Sequence, residues 1–246
     1  MISASGQSES SAHLDGRIIN GAEIEIEDAP YQVALLRNGF HICGGSIYNV
    51  KIVITAAHCL FDNSNAIPAQ NLSVRAGATY HNTGGQVVKV AKIIYYEDFG
   101  KYNLSNDIAV LHLSSALQTS DSVKAIPLAR KSPRVGTVAF VSGWGRTEHG
   151  KYSEKLRIVD LKVVPRKRCI QKYYPIISHK FKIVCAYSSK KDSCVNDSGG
   201  PLASKNELIG IVSGGKNYPC ASEGYPGFYT DVAKYYEWLM AAISQP

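Results

Sequence analysis

The sequence predicts an all-β protein, built either as a sandwich of sheets or as closed barrels, that ends in one α-helix. Short runs rich in β-branched and aromatic residues recur between Tyr31 and Val232, and Gly, Pro, Asn and Ser separate them. Many short strands bounded by turn residues are typical of sandwiches and barrels rather than of βαβ units. The runs are YQVALL, IVITAA, QVVKVAKIIYY, IAVLHL, TVAFVSG, LRIVDLKVV, LIGIVSG and GFYTDV.

Helical spacing of apolar residues is found in the segment DVAKYYEWLMAAIS. This spacing predicts a C-terminal α-helix with one buried stripe. A polar segment at 128–136, LARKSPRVG, carries Pro133 and is the best candidate for a link between two β halves. The expected stripe consists of Val232, Tyr236, Leu239, Met240 and Ile243.

The composition of the 246 residues is that of a soluble globular protein. No apolar run could span a bilayer and the N-terminal MISASGQSESSAHLDG is polar, so neither a membrane helix nor an intact signal peptide is expected.

The formal net charge is +7, but the lysines are scattered and clusters such as PRKRC are short. A solvated basic surface accounts for this charge, so we expect no nucleic-acid or membrane partner. We also expect a monomer.

The cysteines form an even set of six and include no CxxC pair. This pattern argues against zinc and for disulfides, which places the protein outside the cytosol as a secreted, extracellular chain. Six cysteines allow about fifteen pairings, and their spacing does not choose among them. The residues are Cys43, Cys59, Cys169, Cys185, Cys194 and Cys220.

Three short motifs follow one another along the chain: TAAHC with His58, NDIAVLHL with Asp107 and DSGGP with Ser198. Each is ordinary by itself, since a His beside a Cys is more often structural and an Asp before a strand usually caps a turn. A serine hydroxyl needs an imidazole to take its proton and a carboxylate to fix the imidazole tautomer before it can attack a carbonyl group. The motifs supply these groups in the order His, Asp, Ser, which predicts a catalytic triad.

With these motifs the sequence resembles the chymotrypsin and trypsin family of secreted serine endopeptidases. The resemblance runs from about Arg17 to Trp238, through RIING, HICGGSI, TAAHC, NDIAVLHL, VSGWG, KDSCVNDSGGPL and GYPGFYT. It implies two six-stranded antiparallel β-barrels with the site in the cleft between them. A narrower resemblance is to mite trypsin-like proteases of the group 3 allergen type and to the inactivated paralogues of scabies mites. The implied disulfides are Cys43 with Cys59, Cys169 with Cys185, and Cys194 with Cys220.

The motif DGRIING resembles the family's activation site. Cleavage after Arg17 would free the amine of Ile18, which in this family inserts inward and pairs with the carboxylate beside the serine, here Asp197. A buried carboxylate without its cation is costly, so this pair can order the oxyanion hole. The alternative is that Arg17 is a surface residue in a tail. We therefore expect an activation peptide or flexible tail at 1–17, an N-terminal barrel at 18–130, and a C-terminal barrel with its helix at 131–246.

The resemblance places Asp192 at the base of the primary specificity pocket, with Gly215 and Gly227 as its wall glycines. A partly desolvated carboxylate favours a cationic partner, so the pocket should take Arg or Lys. The run up to Cys220 is about two residues longer than in a typical trypsin. Within this run, Tyr218 could fold into the pocket mouth or could equally face solvent.

Further departures from the family pattern lie in the cleft. Asn196 replaces the glycine whose N–H, with that of Ser198, forms the oxyanion hole, and glycine tolerates dihedral angles that a side chain resists. Gly214 stands where the family usually has tryptophan. Residues 196–198 also read as a glycosylation sequon, which is more often coincidental this close to a cleft. The tract from Gly77 to Gly85 lacks the carboxylates of calcium-binding members, so we expect no metal and no cofactor.

Two hypotheses of function follow. The departures at Asn196, Gly214 and Tyr218 favour a protease homologue with weak or absent proteolysis that acts by binding protein or peptide ligands, plausibly host defence proteins. The alternative is an active endopeptidase that cleaves after Arg or Lys once the bond between Arg17 and Ile18 is cut. We favour the first, because an enzyme that cannot seat its substrate is inert, whereas a poor oxyanion hole only slows it.

Overall fold

The computed structural model describes residues 21–100, 104–147, 151–216 and 220–245. Strands, two α-helices and four short 3₁₀ helices make up most of this part of the chain. The strands are β1 (Ala22–Glu23), β2 (Gln32–Arg37), β3 (Phe40–Asn49), β4 (Ile52–Thr55), β5 (Phe61–Asp62), β6 (Asn65–Ala66), β7 (Leu72–Ala76), β8 (Gln86–Tyr95), β9 (Ala109–Leu113), β10 (Val138–Gly143), β11 (Arg157–Val164), β12 (Ile183–Tyr187), β13 (Pro201–Ser204), β14 (Glu207–Gly214) and β15 (Gly227–Asp231). The helices are α1 (Lys167–Tyr173) and α2 (Tyr236–Ile243), with 3₁₀ turns at Ile26–Asp28, Ala57–Leu60, Ala69–Asn71 and Val232–Tyr235.

The first barrel closes in the order β2-β3-β4-β9-β8-β7, with every neighbouring pair antiparallel. Alternate residues of its strands point inward, as in β7, where Leu72, Val74 and Ala76 are buried between less buried neighbours. Closure leaves no open edge, so every strand of the barrel pairs on both sides.

The second barrel follows the order β11-β10-β13-β14-β15-β12 and closes through antiparallel pairing of β11 with β12. Strand β1 adds to the outside of β11. The core of the second barrel is formed by alternate residues such as Val141 of β10, Val159 and Leu161 of β11, and Tyr229 of β15. The two closed six-stranded barrels and the C-terminal helix confirm the predicted fold.

Strand β3 was not among the runs that the sequence indicated, and Gly44 and Gly45 lie in its centre. In the structure both glycines lie within the strand, where their missing side chains allow neighbouring segments to come close to the backbone. A Cβ atom on Gly44 would lie 2.9 Å from the Cα of Gly200, and one on Gly45 would lie 2.9 Å from a methyl group of Val53. The Gly44 N–H also donates to the carbonyl oxygen of Ser198 at 2.8 Å, which ties the two barrels together.

The C-terminal helix is present, but its buried stripe differs from the expected one. Tyr235 and Ala242 are buried, whereas Tyr236, Met240 and Ile243 are only half-buried. The reason is that the first turn is a 3₁₀ helix, with about 3.0 residues per turn, so the residue three positions after Val232 faces the core. The observed stripe is Val232, Tyr235, Leu239 and Ala242.

Three disulfides join the six cysteines in the pairs that the resemblance implied. They link Cys43 to Cys59, Cys169 to Cys185, and Cys194 to Cys220. The first fastens β3 to the 3₁₀ turn that carries His58, and the third brackets the segment that leads to Ser198. No helix in the described part of the chain is long and apolar enough to cross a membrane.

Truncation of Leu111, which is fully buried in the first barrel, should lower the free energy of unfolding. We expect Leu111→Ala to cost about 3 kcal/mol, because it removes apolar contacts and leaves a cavity between β4 and β8. The matched control is Val87→Ala on the outer face of β8, where the side chain is 51% exposed, with a cost below about 0.5 kcal/mol. Denaturant titration under oxidising conditions measures both, and equal costs would contradict the inward position of Leu111.

Candidate active site

The first barrel supplies two of the three triad residues. His58 lies on the 3₁₀ turn that follows β4, and Asp107 lies two residues before β9. The Nδ1 atom of His58 is 2.8 Å from Oδ2 of Asp107, and the backbone N–H of His58 donates to Oδ1 at 2.8 Å. The carboxylate therefore fixes both the ring and the backbone of the histidine. With the Nδ1 proton held in this way, Nε2 is left to accept a proton.

Asp107 also receives donors from the second barrel. The Ser213 hydroxyl donates to Oδ2 at 2.5 Å, and the Thr230 hydroxyl donates to the backbone oxygen of Asp107 at 2.7 Å. Asp107 is only 1% exposed. Burial disfavours the charged imidazole, but the charge of Asp107 and its hydrogen bond outweigh this and raise the pKa of His58. Sequence reasoning missed the contributions of Ser213 and Thr230, because nothing near them in the sequence indicates contact with Asp107.

Ser198 comes from the second barrel and faces the same cleft as His58. The cleft has a volume of about 470 Å³, and both residues line it. Gly199 directly follows the serine with φ at +77°, and a Cβ there would lie 2.2 Å from the Thr55 hydroxyl, so only glycine fits the turn. No hydrogen bond joins the Ser198 hydroxyl to His58 among the described contacts. The turn therefore presents the serine to the cleft, and its hydroxyl makes no hydrogen bond to the described residues.

Asn196 adopts the left-handed backbone conformation, with φ at +74°. Asparagine enters this region at lower cost than most residues, so the position keeps a glycine-like conformation. The carbonyl oxygen of Val195 accepts a hydrogen bond from the Arg146 N–H at 2.8 Å. In a planar trans peptide the N–H points opposite to the C=O, so the Asn196 N–H points away from Arg146. Asn196 and Ser198 both line the cleft, and neither N–H donates to a described group.

Asp192 lies next to both expected wall glycines. A Cβ on Gly227 would be 3.0 Å from one carboxylate oxygen of Asp192, and one on Gly215 would be 3.8 Å from the other. Asp192 is 4% exposed, and burial raises its pKa to about 7 despite a hydrogen bond from the Ala221 N–H at 3.3 Å. Asp192 is not among the described residues that line the open cleft. Tyr218, which was expected near the pocket mouth, lies outside the described residues.

The ring of Phe228 occupies the space next to Gly214. A Cβ on Gly214 would lie 2.4 Å from the ring's Cζ atom, so no side chain fits there without displacing Phe228. Phe228 packs edge to face against Tyr173, with 5.2 Å between the ring centres, and lines the cleft. The replacement of the family's tryptophan by Gly214 is thus coupled to the position of this phenylalanine.

The carboxylate of Asp197 is buried between the glycines of the segment Gly143–Gly145. The N–H groups of Gly145 and Cys194 donate to its two oxygens at 2.8 and 2.9 Å. A Cβ on Gly143 or Gly145 would lie within 2.4 Å of this carboxylate. Asp197 is 1% exposed, and burial raises its pKa to about 6. Its expected partner, the amine of Ile18, and the expected cleavage site at Arg17 lie outside the described residues.

One group of three potential metal ligands occurs among the described residues. It consists of Cys43, His58 and Cys59. The two cysteine sulfurs are joined in a disulfide, so neither is a thiolate that could coordinate a metal.

Ionisation of Asp197 should make the uncut chain less stable as the pH rises. Its pKa of about 6 exceeds the reference value of 3.8, so between these values the folded state binds more protons than the unfolded state. Stability is then lost as the pH rises through this window, by about 3 kcal/mol at most. We expect Asp197→Asn to reduce the difference in unfolding free energy between mildly acidic and neutral pH, while Asp28→Asn at an exposed site leaves it intact. Identical pH profiles for both variants, measured by denaturant titration, would argue against a strained Asp197.

Comparison with known proteins agrees with this geometry. The family model described as Trypsin matches residues 18–239. The chain is 46% identical over 233 residues to trypsin alpha-4 of Lucilia cuprina, covering 94% of this chain and 89% of that protein. It is 44% identical over 234 residues to trypsin alpha of Drosophila melanogaster, with coverage of 94% and 89%. Its structure is similar to that of neuropsin, a serine protease expressed in the limbic system of mouse brain, with a TM-score of 0.81, 31% identity, and coverage of 91% of this chain and 99% of that one. The narrower resemblance to mite proteases stays a prediction. The chain belongs to the trypsin family of serine proteases.

Proposed function

We propose that this protein is a secreted serine endopeptidase that cleaves peptide bonds after Arg or Lys once it has been cut after Arg17. The observation that carries this proposal is the left-handed conformation of Asn196, at φ +74°. It supports a working oxyanion hole at the position where the sequence suggested a defect. The three disulfides support an extracellular location, because such bonds persist in oxidising compartments.

In the proposed reaction Ser198 attacks the carbonyl carbon of the scissile bond while Nε2 of His58 takes the hydroxyl proton. Asp107 holds the imidazole in the required tautomer and stabilises the imidazolium that forms. The N–H groups of Asn196 and Ser198 then donate to the oxyanion of the tetrahedral intermediate. His58 returns the proton to the departing amine, and water hydrolyses the acyl-enzyme by the same steps.

Activation would depend on the new amine of Ile18. Asp197 has a donor on each carboxylate oxygen but no cationic hydrogen-bond partner among the described residues. A buried carboxylate with a raised pKa gains more from an ammonium partner than an exposed one does. Asp197 lies between Asn196 and Ser198, so its pairing with Ile18 would fix the backbone that carries both oxyanion donors.

Specificity for Arg or Lys would come from Asp192 between Gly215 and Gly227. A guanidinium or ammonium group that reaches Asp192 replaces the water that the carboxylate loses on burial. The raised pKa, about 7, implies that a bound cation would also favour the ionised form of Asp192.

Processing of the chain after Arg17 should convert an unreactive precursor into an enzyme. After cleavage and confirmation of the new Ile18 terminus, we expect stoichiometric labelling by a fluorophosphonate and turnover of an Arg ester, because Ser198 and His58 both line the cleft and Asp107 holds the imidazole of His58. Ser198→Ala should abolish both, and Arg17→Gln should prevent activation by a trypsin-like activator. Absence of labelling in correctly processed protein would contradict the proposal.

A second candidate function is binding without effective turnover, with protein ligands such as host defence proteins as partners. Two observations favour it. Asp192 is not among the described residues that line the cleft, and Phe228 fills the space beside Gly214. An extended substrate would then lose a stacking surface, while the triad stays chemically competent. In this case labelling by a small fluorophosphonate would occur, but cleavage of proteins would not.

Restoring a cleft tryptophan should separate the two candidates. Gly214→Trp alone should lower the unfolding free energy, since its Cβ would overlap the Phe228 ring. Gly214→Trp combined with Phe228→Val provides room, and we expect kcat/KM for an extended Arg peptide to rise about tenfold, with little change for a single-residue Arg ester. Phe228→Val alone is the control. Equal effects on both substrates would indicate that Gly214 does not limit the binding of extended chains.

A further inference from the structure

A second concave surface lies on the outer side of the second barrel. It is bounded by the segment before β10, by strands β11 and β12, and by the 3₁₀ turn Val232–Tyr235, and it has a volume of about 390 Å³. It shares no residue with the catalytic cleft. Apolar side chains and Pro133 line much of it, together with the basic side chains Arg166, Lys182 and Lys234. We call this surface the basic groove.

The three cations of the basic groove have no carboxylate partner within ion-pair distance among the described contacts. Arg166 donates from Nη1 to the carbonyl oxygen of Phe181 at 2.7 Å, which orients its guanidinium while other N–H donors stay available. The Lys182 ammonium lies 4.8 Å from the ring centre of Tyr235 and 5.9 Å from that of Tyr96. Two of the three cations are therefore held in place by neutral groups.

Asp231 is the one carboxylate among the described residues that line the basic groove. It is 4% exposed and accepts a hydrogen bond from the Ser132 hydroxyl at 2.6 Å. Burial raises its pKa, against the opposing effects of this hydrogen bond and of the Lys234 charge, so Lys234 interacts with Asp231 without forming a close ion pair. This one buried carboxylate offsets only part of the positive charge of the three groove cations. The segment before β10 adds the exposed residues Arg130, Lys131 and Arg134, so positive charge continues beyond the rim of the groove.

We propose that the basic groove binds a sulfated polysaccharide. Sulfate groups are permanent anions that match the guanidinium of Arg166 and the ammonium groups of Lys182 and Lys234. The positive charge of the groove continues into the exposed residues Arg130, Lys131 and Arg134, which suits a chain with repeated charges better than one small anion. Binding of single-stranded nucleic acid uses exposed aromatic faces for base stacking, and here Lys182 lies over the Tyr96 and Tyr235 rings.

Strand β15 connects the basic groove to the specificity pocket. Gly227 at its start flanks Asp192, and Asp231 at its end lines the groove. Four residue steps along a strand span roughly 13 Å. A polysaccharide in the groove would leave the cleft open and could hold a second bound protein nearby at a raised effective concentration. The proposal does not depend on whether the triad turns substrate over.

The test is the affinity of the full chain for heparin at about 0.15 M NaCl. We expect the triple variant Arg166→Gln, Lys182→Gln and Lys234→Gln to bind on the order of a hundredfold more weakly. The matched control replaces the exposed lysines Lys51, Lys89 and Lys205 by Gln, which removes the same charge elsewhere and should change affinity by less than about threefold. Lys234→Glu alone, at an exposed position, gives a second test if the triple variant does not fold.

Three outcomes would overturn the proposal. Equal losses in the groove and control variants would mean that diffuse charge accounts for binding. Undiminished binding of fully desulfated heparin would show that sulfate is not recognised. Binding of a short duplex DNA as tightly as heparin, with the same dependence on the groove residues, would indicate a nucleic-acid site instead.

Discussion

The buried carboxylate of Asp107 is the constraint on which the arrangement of the two barrels depends. A charge that is 1% exposed must be matched by hydrogen bonds, or folding leaves it costly. His58 supplies two donors to the carboxylate from the first barrel and Ser213 supplies a hydroxyl from the second. The Thr230 hydroxyl, also from the second barrel, donates to the backbone oxygen of Asp107. The same contacts therefore hold the two barrels together and orient the imidazole. A shift of one barrel against the other would remove donors from a buried anion.

The sequence allowed the triad and most strands to be predicted, because both depend on short local patterns. What it could not supply were contacts between segments far apart in the chain. Ser213 looked like one more residue in a β run, yet its hydroxyl lies 2.5 Å from Asp107. Strand β3 was not indicated by the sequence, and the close approach of Gly200 to Gly44 in its centre joins segments that are far apart in the chain. The buried stripe of the C-terminal helix shifted because a 3₁₀ turn, which residue spacing alone does not reveal, precedes the α-helix.

The cleft combines the predicted triad with a wall that departs from the family pattern at Gly214. The triad contacts and the Val195 carbonyl bond to Arg146 are backbone and short side-chain interactions, which tolerate substitution of their neighbours. The wall beside Gly214 instead depends on the volume of one aromatic ring, Phe228. In the proposed function, bond-making chemistry and the binding of extended substrates would therefore be set by different residues and could change separately.

The left-handed backbone at Asn196 has a consequence for how such a protein can change over generations. Asparagine tolerates this conformation, but β-branched residues meet a steric penalty of about 1–2 kcal/mol or more there. A codon change from asparagine to isoleucine or threonine would disfavour the left-handed conformation at this residue. The barrels, the disulfides and the three triad side chains would be unchanged. For a protease whose oxyanion hole relies on this N–H, a change in one backbone torsion could produce an inert relative, and a gene copy could acquire it without losing the folded protein.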